Sequence, residues 1–166
     1  FLGFVVSRDL SGHAVTAGKP TGPGRVATSW AGYPAPAVLG AAVVLLALHG
    51  WASAVLLLGL VILAILLVMS RSVRTVLLVL LVAALTGALW WWGGTWRAGV
   101  AAGVGLALIV GAWDSLRDVA ASREPEQDHR TLARLTGVPA GVWLATWFLV
   151  DVLATGVVVL AVRDLL

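Results

Sequence analysis

The sequence predicts an all-α integral membrane helix bundle of about five transmembrane helices with a short N-terminal β-like extramembrane segment. Three observations carry that expectation. The 166 residues are 60% hydrophobic and only 11% charged, whereas soluble domains are roughly 45–50% apolar and about a quarter charged. The mean hydropathy is +1.00. No Asp, Glu, Lys or Arg occurs in the 45 residues from Val26 to Ser70, and further charge-free stretches run from Thr75 to Trp96 and from Ala98 to Trp113. Runs of this length read as helices that cross a bilayer. A soluble enzyme is thereby excluded as the leading class.

Residues 1–30 are the least hydrophobic long region and are expected outside the bilayer. In FVVSRDLSGHAVTAG, β-branched residues flank Asp9, Ser11 and Gly12, which predicts a short hairpin, and KPTGPG reads as a turn. AGYPAP marks the step into the membrane, because Pro34 and Pro36 fall where a first helical turn tolerates a missing amide hydrogen. The transmembrane helical domain, 31–166, then divides into spans at about 35–49, 51–69, 73–92, 99–113 and 140–162, with a polar loop at 114–139. The first span is short and pairs with the second as a tight helical hairpin around His49 and Gly50. Gly99 and Gly103, in AGVAAG, put small residues four apart on one face of the fourth span, a pattern that serves either packing within one subunit or a dimer contact.

The nine Trp residues fall at or within a turn or two of these boundaries, as expected of indoles at the headgroup level. Nine basic residues (Arg8, Lys19, Arg25, Arg71, Arg74, Arg117, Arg123, Arg130 and Arg134) share one side of a five-span topology, against Arg97 and Arg163 on the other. The positive-inside rule makes the first side cytoplasmic, including the N-terminal segment and loop 114–139 of a multi-pass protein of the cell membrane; the chain end faces outward. No basic cluster is interleaved with aromatics, so the net charge of +3 is not read as a nucleic-acid footprint. Without Cys there is no disulfide scaffold and no thiolate chemistry. Phe1 is not followed by a basic region, apolar core and cleavage site, so no signal peptide is expected.

Two acidic positions call for an explanation. Asp151, in TWFLVDVLATG, lies near the middle of the last span and is expected to face the bundle interior. Either a helix–helix hydrogen bond to a Thr or Trp, or a proton, ion or metal pathway, accounts for it. Asp128 and His129 belong to REPEQDHRTLARLTGVPAGVW, where a short amphipathic helix is expected at about 129–135. Asp128 suits the N-cap of that helix, and a carboxylate beside an imidazole is also a pairing that binds or supports Zn2+. His13 and His49 are isolated in sequence. No HExxH, Walker A loop, dinucleotide loop or nucleophile elbow occurs in residues 1–166. The residues alone supply no complete catalytic site.

The stretches DLSGHAVTAG, GPGRVATSWAGYPAPAVLGA at 22–41 and DHRTLARLTGVPAGVW at 128–143 resemble the successive landmarks of the M50B-like membrane metallopeptidases of actinobacteria, relatives of the site-2 proteases. The resemblance covers nearly all of the chain in order and spacing. It implies an N-terminal span carrying HExxH, which would lie upstream of Phe1, with two His on zinc and Glu as general base. It further implies that Asp128 supplies the third metal ligand, with Asp114 in GAWDSLRD as the fallback. His129 departs from the small residue expected after that acid. The implied activity is hydrolysis of peptide bonds in membrane-protein or peptide substrates, with Zn2+ polarising the carbonyl and activating water. Zn2+ is not expected to bind tightly to residues 1–166 alone, because two of the implied ligands are missing. The competing reading from the residues is a noncatalytic membrane interaction protein or a small transporter.

Overall fold

The computed structural model describes residues 3–6, 12–15, 22–70, 72–122 and 127–164, the first two segments by their backbone alone. The expected turn at Asp9 and Ser11, most of KPTGPG, and Arg8, Lys19, Arg71, Arg123 and Leu166 lie outside the described residues. Strands β1 (Gly3–Val6) and β2 (Gly12–Val15) pair antiparallel with Gly3 opposite Val15 and Val6 opposite Gly12. The other elements among the described residues are helices: α1 (Pro23–Ala31), α2 (Ala35–Leu48), α3 (Ala52–Met69), α4 (Val73–Trp92), α5 (Trp96–Ala121), α6 (Asp128–Thr136) and α7 (Ala140–Arg163). The molecule is an all-α membrane bundle carrying a short hairpin.

Four of these helices, α3, α4, α5 and α7, are individually long and apolar enough to cross a bilayer. α2 is not: its 14 residues reach that length only together with α1, across a 55° bend. Pro34 and Pro36 account for the break, since proline interrupts the backbone hydrogen-bond ladder and biases the residue before it away from helical geometry.

In two places the helices depart from expectation. A nine-residue helix, α1, occupies part of the segment read as strand and turn. Its start is set by Gly22 at φ 113°, a conformation natural to glycine, followed by Pro23 in the first turn. The polar segment 114–139 is likewise shorter as a loop than expected, because α5 continues to Ala121, whereas α6 falls where the short amphipathic helix was expected. The buried residues of α5 are Ala101, Gly105, Ile109, Ala112, Leu116 and Val119. Their steps of three and four residues continue one helical face past the polar residues that were read as its end.

The core is layered along the bundle. Ala37, Ala41 and Val44 of α2 pack with Ile109 and Ala112 of α5 and with Ala154 and Val158 of α7. Backbone approach is closest between α2 and α5, where a Cβ on Gly105 would fall 2.6 Å from the Gly40 carbonyl oxygen and one on Gly40 would run into the Gly105 carbonyl. By contrast, a Cβ on Gly99 or Gly103 would meet nothing within 4 Å. The AGVAAG face is therefore not where helices close within the subunit. The expected α2–α3 hairpin is also looser than its sequence proximity suggested, with α2 resting chiefly on α5 and α3 on α4. α3 and α4 leave Leu58, Ile65, Leu77, Leu81 and Leu85 exposed, as lipid-facing side chains should be.

Candidate functional site

At one end of the bundle a second core layer joins Leu116 and Val119 of α5, Leu132 of α6 and Trp147 of α7, with Val26, Trp30, Tyr33, Trp143 and Leu144 packed against it. Trp147 is completely buried and its indole N–H donates to the Trp30 carbonyl at 2.9 Å. The Trp30 indole N–H in turn donates to Thr146 Oγ1 at 3.0 Å. Two indoles thus cross-tie α1 to α7, and the Tyr33 ring lies over Trp147 with centroids 4.4 Å apart. That stacking aims the Tyr33 hydroxyl at α6, where it donates to Asp128 Oδ2 at 3.0 Å.

The bond brings together the two distinctive landmarks of the sequence. Tyr33 stands in GYPAP, at the break between α1 and α2; Asp128 opens the segment that runs into LTGVP. The structure corrects the capping expectation for Asp128. Gln127, with φ −57° and ψ 147°, is the cap position, without a side-chain capping bond, and Asp128 is the first helical residue. A carboxylate there still lies at the positive end of the α6 dipole. The helix ends at Gly137, whose φ of 74° suits glycine.

His129, the next residue, is buried, and its Nδ1 finds no partner among the described residues. Burial and the neighbouring Arg130 charge lower its pKa from the ordinary histidine value, against an opposing effect of Asp128. Trp143 Nε1 is a second buried donor without a partner among the described residues. Tyr33 is the member of this cluster that the sequence does not single out, since GYPAP reads simply as a step into the membrane.

The remaining sequence candidates lie elsewhere. Asp114 is exposed on α5. His49, at the far end of α2, is exposed with its Nδ1 2.7 Å from the Leu45 carbonyl oxygen. His13 lies on β2. Asp151 is 1% exposed within the bundle, as expected for a carboxyl at mid-span, but its Oδ1 has no partner among the described residues. The expected threonine bond is to the backbone instead: Thr155 Oγ1 donates to the Asp151 carbonyl at 2.7 Å and accepts from Trp113 Nε1 at 3.1 Å.

Zinc needs three or four protein ligands. Among the described residues no three His, Cys, Asp or Glu side chains converge, so these residues do not by themselves fit a zinc ion. What they present is one carboxylate, Asp128, with a tyrosine hydroxyl on one oxygen and a buried imidazole in the adjoining residue. A family model described as Peptidase M50B-like matches residues 1–158. No curated protein and no solved structure matches the chain.

Proposed function

The chain belongs to the Peptidase M50B-like family, and from that premise we propose that it is the body of an intramembrane metallopeptidase-like protein in which Asp128 is the acidic metal ligand. The observation that carries this reading is the Tyr33–Asp128 bond. Tyr33, held by the fully buried Trp147, fixes one oxygen of the Asp128 carboxylate, and a hydrogen bond from outside the coordination shell is what orients a metal-ligating carboxylate.

The peptidase reading depends on an HExxH helix that residues 1–166 do not contain. Zn2+, on which the M50 family generally depends, would be completed by that helix, and the substrates would be membrane proteins or peptides. In this reading the Asp128 end of the bundle is cytoplasmic. Arg25, Arg74, Arg117, Arg130 and Arg134 support this by gathering toward that end, against Arg97 and Arg163 at the other.

A noncatalytic membrane protein is the second reading, favoured by the failure of any three ligands to converge among the described residues. One experiment separates the two. The complete gene product is purified from membranes, its zinc measured by elemental analysis, and peptide cleavage followed in the native protein and in Asp128→Ser. Serine is a good residue near a helix start but a poor zinc ligand. Loss of zinc and cleavage with insertion intact is expected; full metal and activity in the Ser variant, or no metal in the native protein, would overturn the proposal.

A further inference from the structure

At the opposite end of the bundle, α3, α4 and α5 enclose an open cavity of about 360 Å3 lined by Ser53, Trp90, Trp91 and Arg97. Arg97 reaches into it from the first turn of α5. Its Nη1 donates to Ser53 Oγ and its Nη2 to the Trp91 carbonyl, each at 3.3 Å. Its Nε is buried without a partner among the described residues. A guanidinium has five N–H donors and a fixed positive charge, and here two long bonds to neutral oxygens are all that the described residues offer it.

The elements that line the cavity supply no counter-charge, and Asp164, at this end of α7, is exposed and makes no ion pair with Arg97 among the described residues. From Val26 to Trp113 there is no Asp or Glu, which covers all of α2, α3 and α4 and the first two-thirds of α5. α5 also begins without a side-chain cap, so the positive end of its dipole adds to the same potential. An anion is the missing partner.

The depth of the cavity identifies the kind of anion. Trp91, Trp92 and Trp96 around it are 67%, 79% and 75% exposed, and indoles so placed sit at the level of lipid headgroups. Trp90 and Trp91 stand as adjoining walls with centroids 5.9 Å apart. At that level the abundant anion is the phosphate of a phospholipid, and a planar fork of N–H donors matches phosphate oxygens geometrically.

We propose that Ser53, Trp90, Trp91 and Arg97 form a phosphate-binding site that holds the headgroup of an anionic phospholipid. Arg97 supplies the charge and, through its two Nη groups, the forked donors. The Ser53 hydroxyl adds a donor, and the two indoles flank the glycerol portion. This site is independent of the peptidase reading, since it shares no residue with the Asp128 end.

The test uses the chain purified in a neutral detergent and titrated with phosphatidylglycerol or phosphatidylcholine, with lipid-bound species counted by native mass spectrometry. The native protein should hold one phosphatidylglycerol in preference to phosphatidylcholine. Arg97→Gln should weaken that binding at least about tenfold, while Arg163→Gln, which removes the other arginine at this end, should not change it. Should Arg97→Gln fail to fold, Arg97→Lys carries the test: it keeps the charge, loses the fork, and should bind about threefold more weakly or worse. Inorganic phosphate that binds with the same dependence on Arg97, while phosphatidylglycerol is held no better than phosphatidylcholine, would keep the phosphate chemistry and overturn the lipid as its source. Binding that is indifferent to both Arg97 substitutions, or reduced equally by Arg163→Gln, would overturn the site.

Discussion

The Tyr33 hydroxyl and the Asp128 carboxylate, 95 positions apart in the chain, meet at 3.0 Å. The contact ties the break between α1 and α2 to the first residue of α6, so either partner's removal should be felt by both helices. Tyr33→Phe keeps the ring over Trp147 and removes only the donor. It should cost about 1.5–3 kcal/mol of stability, the usual net value of a hydrogen bond to a charged group. In a double-mutant cycle with Asp128→Ala, thermal unfolding in detergent should show a coupling of about 0.5 kcal/mol or more. Strict additivity would mean that the two side chains do not interact in solution.

Two glycines of α5, two positions apart, should respond oppositely to the same substitution. Gly105→Ala drives a methyl against the Gly40 carbonyl and Val44 and should destabilise by about 1–3 kcal/mol, as overpacking does. Gly103→Ala meets open space and should be neutral or stabilising by up to about 1 kcal/mol through helix propensity. Melting temperatures of the two variants decide the matter, and equal effects would contradict the α2–α5 contact.

His129 gives the protein an acid-sensitive point. Its pKa is lowered on folding, chiefly by burial and then by Arg130, with Asp128 opposing, so the unfolded chain binds the proton more readily than the folded one. The stability due to the neutral ring is complete above about pH 6.5, the ordinary histidine value, and is lost as pH falls through the lower folded value. Melting temperature should therefore decline from pH 7 toward pH 5, and the decline should be shallower in His129→Gln. An identical profile in that variant would remove His129 as the cause.

Orientation follows from the distribution of arginine. Reporter fusions at Gly94, Arg123 and Leu166 should read outside, inside and outside. An inside signal at Leu166 would mean that the α1–α2 pair does not cross the bilayer as one bent span or that the orientation is reversed.

The spans were legible because lipid imposes a simple rule: the long uncharged runs that end near Met69 and Trp92 are those of α3 and α4. The polar helix α6 was legible too, but the polar continuation of α5 was not. DSLRDVAA reads as loop by charge, yet Leu116 and Val119 keep to the face of Ile109 and Ala112, so α5 persists beyond its apolar stretch. Tryptophan was informative only in part. Trp91, Trp92 and Trp96 are exposed, whereas Trp147 fills the core and gives its N–H to Trp30. Asp128 stood out in the sequence by its place at a helix start beside His129, but its hydrogen-bond partner Tyr33 did not, since no helical or strand period relates residues that far apart. Asp151 was placed correctly in the interior by the cost of exposing a carboxyl to lipid; its lack of a side-chain partner at Oδ1 is a property of packing that no local pattern encodes.

The separation of partners along the chain also sets an order of biogenesis. The Trp30 carbonyl leaves the ribosome 117 residues ahead of the indole that will bond it, which at roughly 5–20 residues per second is a wait on the order of 6–23 seconds. Gly40 and Gly105 are only 65 residues apart (105 − 40), so the α2–α5 contact becomes available before α7 has emerged. Both layers that need α7, with Trp147 in one and Ala154 and Val158 in the other, therefore close after the α2–α5 contact has formed, and a chain halted before Trp147 would leave α1 without its tie to α7.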